Sequence, residues 1–173
     1  MNENLISAKE DAKQNLNNIQ DWIKAADTKF SILLGVVAVL FGLTTVVFKS
    51  LPYIANNEFS ATVFFVALFT ALYILSTVTT LLICLIGLFS RLKPNRDSCL
   101  YFGCIANKNL SVFKQSILSQ TEEEKLDDLL NQIHINSIIA NKKMKLFNYA
   151  IVSAVILLVS TMLSLVMLYG VLQ

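Results

Sequence analysis

Three stretches of this chain, residues 30–48, 59–90 and 146–172, carry no charged side chain and are dense in Leu, Val, Ile and Phe. Uncharged runs of about 18 residues or more read as membrane-spanning helices. In lipid, a helix satisfies its own backbone hydrogen bonds, which an open strand cannot do. At a rise of about 1.5 Å per residue, the first run is roughly 28 Å long, close to one hydrocarbon core. Composition agrees: of 173 residues, 55% are hydrophobic and 15% charged, where soluble domains carry about 25% charged residues. The expected fold class is an all-α membrane protein with three transmembrane helices. A long N-terminal amphipathic helix precedes the first span, and a small cytoplasmic helical insertion lies between spans two and three. The expected division is 1–29 amphipathic helix, 30–48 first span, 49–58 external loop, 59–90 second span, 91–145 cytoplasmic region and 146–172 third span.

Orientation follows from the basic residues. Of the 14 Lys and Arg, only Lys49 lies in the loop joining spans one and two. The others flank the opposite ends of the spans, which makes that side cytoplasmic. The N-terminal segment has no short apolar core with a small-residue cleavage site, so it is expected to be retained.

Before the first span, Leu5, Ala8, Ala12, Leu16, Ile19, Ile23 and Ala26 recur at helical steps, opposite a charged face. That stripe suits a partner helix or a neighbouring subunit. No Pro or Gly interrupts the passage into the span, so one long helix is expected. Within the span, Ser31, Gly35, Ala38 and Gly42 form a small-residue stripe. Such stripes let helices approach closely in lipid, and this one is expected to face another helix. The second span has hydroxyls at Thr70, Ser76, Thr77, Thr79 and Thr80, and Cys84 beside them, which argues against a proton or ion relay through it. Pro94 is expected to stop the helix after that span. Residues 98–106 are apolar but too short to cross a membrane, and read as an extended or hooked segment with Gly103 allowing a turn. Residues 111–119 suit a short helix. Thr121 and Glu124 form a capping box for a final helix, with Leu126, Leu129, Leu130, Ile133, Ser137, Ala140 and Met144 on one face, running into the third span.

No catalytic motif is visible, and no enzymatic activity is expected. The spacing of Cys99 and Cys104, with the lone His134 distant, argues against a zinc site. The acids Glu122–Glu124, Asp127 and Asp128 read as a solvated helix start. What remains is a ring of charges at the ends of the spans: Asp27, Lys29, Arg91, Lys93, Arg96, Lys142, Lys143 and Lys145. Ionisable groups at a membrane boundary are functional candidates. The plainer alternative is that Lys29 snorkels, Asp27 caps or pairs locally, and Arg91, Lys93 and Lys143 anchor the cytoplasmic side. Gathered around the apolar hook, such a ring could hold a phosphate by lysine or arginine while Tyr101 or Phe102 stacks a base.

Three groups of residues, in order, resemble the transmembrane effectors of the Pycsar anti-phage system. They are Ala26-Asp27-Thr28-Lys29 with Ser31 to Gly35; Ser98, Tyr101, Phe102, Gly103, Ile105 and Ala106 in an S-x-x-F/Y-F-G-x-I-A pattern; and Gln132 to Ser137 followed by Lys142 and Lys145. Phe30 departs from the small residue common after the D-T-K triplet. The resemblance implies an effector that senses a cyclic pyrimidine nucleotide, cyclic CMP or cyclic UMP, and then impairs the bacterial inner membrane, causing abortive infection. It implies a pyrimidine nucleotide cyclase as functional partner and no cofactor beyond the cyclic nucleotide ligand; the basic-residue bias places the N-terminus of this multi-pass protein in the cytoplasm, and a net charge of only +2 argues against nucleic-acid binding. A homo-oligomer is expected. Asp27, Lys29, Ser98, Phe102, Gly103, Asn136, Ser137 and Lys145 become candidate ligand-binding positions through the resemblance, joined by Tyr101 and Lys142 from the chemistry of the ring. The competing reading is a ligand-independent structural or holin-like oligomeric membrane protein.

Overall fold

The structure is a computed structural model that describes residues 3–55, 61–89 and 98–172. Its elements are α1 (Glu3–Ala55), α2 (Ala61–Leu88), α3 (Phe102–Ala106), α4 (Leu110–Ser119) and α5 (Glu122–Leu172). α1, α2 and α5 are long and apolar enough to cross a membrane. The protein is an all-α membrane protein. Pro94 and the basic residues Arg91, Lys93 and Arg96 lie outside the described residues.

α1 is one helix of 53 residues, as the absence of breakers before its span predicts. It runs past residue 48 into the region read as a loop. Pro52 falls in its last turn, where a proline forfeits one backbone bond without having to carry a long helix beyond it. α5 is also unbroken, over 51 residues. Its start has the expected reciprocal cap: the Thr121 amide donates to Glu124 Oε2 at 2.8 Å, and the Glu124 amide donates to Thr121 Oγ1 at 3.2 Å.

The chain divides into two units. One takes in the described parts of Met1–Ala26 and Ser90–Lys143, the other those of Asp27–Phe89 and Met144–Gln173. In the second, membrane-spanning unit, three interior faces follow the three- and four-residue helical step. α1 contributes Phe30, Leu33, Val37 and Leu40; α2 contributes Val66, Thr70, Tyr73, Thr77, Thr80 and Cys84; α5 contributes Ala150, Ser153, Leu157, Ser160 and Ser164. The outward residues are apolar too, among them Ile32, Val39, Leu75, Leu82, Val155 and Val159. Lipid tails solvate such faces at no cost, so packing and hydrogen bonding rather than the hydrophobic effect hold these helices together.

The small-residue stripe of α1 does not pack within the chain. Ser31, Gly35, Ala38 and Gly42 are all exposed, and a Cβ on Gly35 or Gly42 would meet nothing within 4 Å. The larger residues Phe30, Leu33 and Val37 fill the interior instead, because the bundle needs volume there. The close approach that needs a glycine lies on α2. A Cβ on Gly87 would sit 2.3 Å from Cζ of the Phe30 ring. That ring is fully buried and meets Phe147 edge-on, with centroids 5.5 Å apart.

In the other unit, Leu5, Leu16, Ile19 and Ile23 are half-buried and Ala12 is buried, so most of the predicted stripe does turn inward; Ala8 is exposed. From α5, Leu129, Gln132 and Ala140 are buried, whereas Leu130 of the predicted face is exposed, as is Met144 at the start of the membrane-spanning part. Lys9 of α1 and Lys125 both bond the Glu122 carboxylate, at 2.5 and 2.6 Å. α4 forms where a short helix is expected, and none of its residues is buried.

Candidate functional site

The apolar hook is fastened by one side-chain node. Ser98 is 4% exposed, and its hydroxyl donates to Asp128 Oδ1 at 2.6 Å. The same oxygen accepts from the amides of Leu100 and Tyr101, at 3.0 and 3.1 Å, and from Gln132 Nε2 at 3.2 Å. The other Asp128 oxygen accepts from the Cys99 amide at 3.0 Å. A buried hydroxyl with these partners is saturated, so Ser98 holds the hook rather than offering a free contact. This corrects the reading of Asp128 as a solvated helix-start acid: its carboxylate organises the segment 30 residues before it.

The hook itself is a short helix, α3, preceded by extended backbone at Tyr101 (φ −86°, ψ 121°). The amides of Cys104 and Ile105 both donate to the Tyr101 carbonyl. Gly103 has no positive φ, so it does not serve as a left-handed turn. Its role is spatial: a Cβ there would sit 2.6 Å from Tyr101 Cε1. The half-buried Tyr101 ring therefore lies over Gly103, and the glycine is what lets it do so. Phe102 is the first residue of α3.

Further along α5, Asn136 and Ser137 are half-buried, and the Ser137 hydroxyl donates to its own helix at the Ile133 carbonyl, 2.8 Å away. Lys142 is exposed. Lys143, read from the sequence as an anchoring lysine, is 3% exposed instead. A buried ammonium is costly, and anchoring at a wet membrane face does not describe this one.

Asp27, Lys29 and Lys145 belong to the membrane-spanning unit. Lys29 Nζ lies 5.7 Å from the centroid of the Phe147 ring, within cation–π range. Asp27 is half-buried, and its backbone carbonyl accepts from the Ser31 hydroxyl at 3.0 Å. Lys145 is exposed. The structure thus groups Ser98, Tyr101, Phe102, Gly103, Asn136, Ser137 and Lys142 in one unit, and Asp27, Lys29 and Lys145 in the other.

Two partners of the hook escaped the sequence reading. Asp128, Gln132 and Asn136 recur at four-residue steps, a polar file beside the apolar file of α5. Polar residues at helical spacing along a packed face must find partners, and that spacing was the available signal. A groove of about 370 Å³ lies elsewhere in the same unit, lined by Asn15, Asn18, Ile19, Asp21, Trp22 and Ile133. None of the ten candidates lines it, although the exposed Trp22 offers an aromatic face and the two asparagines offer amides.

Among curated proteins, the chain is similar to the Pycsar effector protein GmPycTM of Gulbenkiania mobilis. The two are 29% identical over 167 positions, covering 81% of this chain and 82% of that protein. No solved structure matches. The family model described as the Pycsar effector protein domain, PycTM, matches residues 11–170, a range that takes in the hook, the node that fastens it, all of α2 and most of α1 and α5. This chain therefore belongs to the Pycsar effector family.

Proposed function

We propose that the protein is an anti-phage effector that senses a cyclic pyrimidine nucleotide, cyclic CMP or cyclic UMP, at the cytoplasmic face of the bacterial inner membrane and then permeabilises that membrane. Membership of the Pycsar effector family supports the defensive role. The geometric observation that carries the sensing step is the fastening of the hook by Ser98 to Asp128 and Gln132. Those two residues sit on α5, the helix whose later turns form the third span. A ligand that binds the hook better in one arrangement biases α5, and a ligand shifts a conformational equilibrium only through such a difference in affinity.

In this reading Tyr101, set over Gly103, stacks the base, while Asn136 and Ser137 contact its edge or the sugar. Lys142, exposed on the same unit, receives the phosphate. Ser98 positions the segment. The Trp22 groove favours a second location for the base, because it is concave and pairs an exposed indole with two amides. A neighbouring cyclase supplies the nucleotide, and the effector acts as a homo-oligomer that needs no catalysis of its own.

The test is purified protein in dye-loaded liposomes, with cyclic CMP or cyclic UMP added. Either nucleotide releases dye, and at about 100-fold excess over Kd it stabilises the protein by about 2.7 kcal/mol in thermal unfolding. Tyr101→Ala abolishes both effects if the hook is the site; Trp22→Ala abolishes them if the groove is. No leak and no stabilisation with either nucleotide overturns the reading. Toxicity on expression without a cyclase favours a holin-like pore former instead.

A further inference from the structure

The interior of the membrane-spanning unit is not uniformly apolar. Between α2 and α5 runs a seam of buried hydroxyls: Ser76, Thr77 and Thr80 from one helix, Ser153, Ser160 and Ser164 from the other. Most of them donate back to their own helix. Thr77 bonds the Tyr73 carbonyl at 2.8 Å and Ser164 bonds the Ser160 carbonyl at 2.8 Å. Across the seam, Thr80 Oγ1 lies 2.8 Å from Ser153 Oγ. A hydroxyl that donates backwards still presents acceptor lone pairs to the interior. The seam is thus a row of hydrogen-bond acceptors with no charged group in it.

One member is unmet. Thr70 is 9% exposed, and its Oγ1 is fully buried without any hydrogen-bond partner. A hydroxyl in that state is costly in an apolar interior, and it points to a partner the closed bundle does not supply. The third wall differs in kind. Among the residues whose burial is described, α1 faces the interior with the apolar Phe30, Leu33, Val37 and Leu40, beside the half-buried Leu34. Its polar tie to the seam is the Tyr73 hydroxyl, donating to the Leu40 carbonyl at 3.3 Å.

The geometry points to the α2–α5 hydroxyl seam as the wall of a water-filled path for small ions, closed here by the apolar face of α1 and opened when that face withdraws. This rests on the reading of the protein as a membrane-permeabilising effector and specifies where the leak runs. Withdrawal breaks the Tyr73 bond, admits water to the acceptor row and gives Thr70 the partner it lacks. The sequence argues against a relay of protons or ions from side chain to side chain; a column of water needs only walls that hydrogen-bond. With no charged ring along the seam, the path passes small cations and anions alike.

Substituted cysteines test this. Cys84, Cys99 and Cys104 are replaced, and single cysteines are placed at Thr70, Thr77 or Ser160, with lipid-facing Leu75 and Val159 as controls. The probe is a water-soluble, positively charged thiol reagent applied to proteoliposomes before and after cyclic CMP or cyclic UMP. Nucleotide raises the labelling rate at the three seam positions by an order of magnitude and leaves the two controls unlabelled. In the native-cysteine background, Thr70→Val with Thr77→Val slows the ion leak while the nucleotide-induced thermal stabilisation persists. A leak with silent seam positions, or a leak that the valines do not slow, overturns this proposal and spares the sensing function. No leak at all overturns both.

Discussion

Phe30 is fully buried in the membrane-spanning unit, and the cost of its bulk falls on another helix. Its buried ring lies against Gly87, whose missing side chain makes room for three ring carbons at once. A Cβ there would lie 2.3, 2.6 and 2.7 Å from them. Overpacking of this kind costs about 1–3 kcal/mol, and neighbours that share a space do not behave additively. Gly87→Ala is therefore expected to destabilise the protein by that amount in reversible unfolding in detergent, and to cost little once Phe30→Ala has emptied the site. Equal effects of Gly87→Ala in both backgrounds would mean that the two residues do not meet. The bulk of Phe30 was visible in the sequence; its partner was not. Nothing in a string of residues ties position 30 to position 87 until two helices are laid together. Asp128 makes the same point for the candidate site. Its neighbours in sequence are acids, and its real partner is a serine 30 residues earlier.

At the scale of elements, the start of α5 is held by charge. Hydrogen bonds from Lys125 and then Lys9 hold the Glu122 carboxyl well below the usual carboxylate range, at about 2. A group whose folded value is depressed stabilises the fold above its unfolded value, about 4.3 for glutamate, and the contribution is lost as pH falls through the folded value. The association of α1 with the first turn of α5 is therefore complete at neutral pH and weakens between about pH 4 and pH 2. Glu122→Gln removes that dependence, so its unfolding midpoint falls less steeply than the wild type over the same window. Salt flattens the wild-type curve as well, because Glu122 and both lysines remain partly exposed. Identical acid profiles for the two proteins would assign the acid loss to other carboxylates. The helices themselves were legible in the sequence, because unbroken periodicity and a capping box are local signals. The Thr121–Glu124 cap formed as read. What packs on what was less legible: the small-residue stripe of α1 faces outward, since a bundle interior selects volume before it selects closeness. The hook's Gly103 was misread for a related reason. Glycine marks either a special φ or a tight approach, and only the neighbouring Tyr101 ring decides between them.

At the scale of the whole molecule, the placement of charge decides topology. None of the 14 basic residues lies between α1 and α2, and only Lys49, near the end of α1, comes close to that loop. Lysine and arginine resist translocation, so the side that carries them is expected to be cytoplasmic. Three spanning helices then require the two ends of the described chain to lie on opposite sides of the membrane. A phosphatase reporter, active only outside the cytoplasm, is expected to be active when fused after Gln173 and silent when inserted after Lys108. A nuclease or fluorescent reporter that works only inside gives the reverse pattern. This arrangement is a condition of the proposed function, since a nucleotide made in the cytoplasm can meet Tyr101 and Lys142 only if residues 98–145 lie on that side. An active phosphatase after Lys108 would put the hook out of reach of any cytoplasmic second messenger, and the sensing role would fail with it.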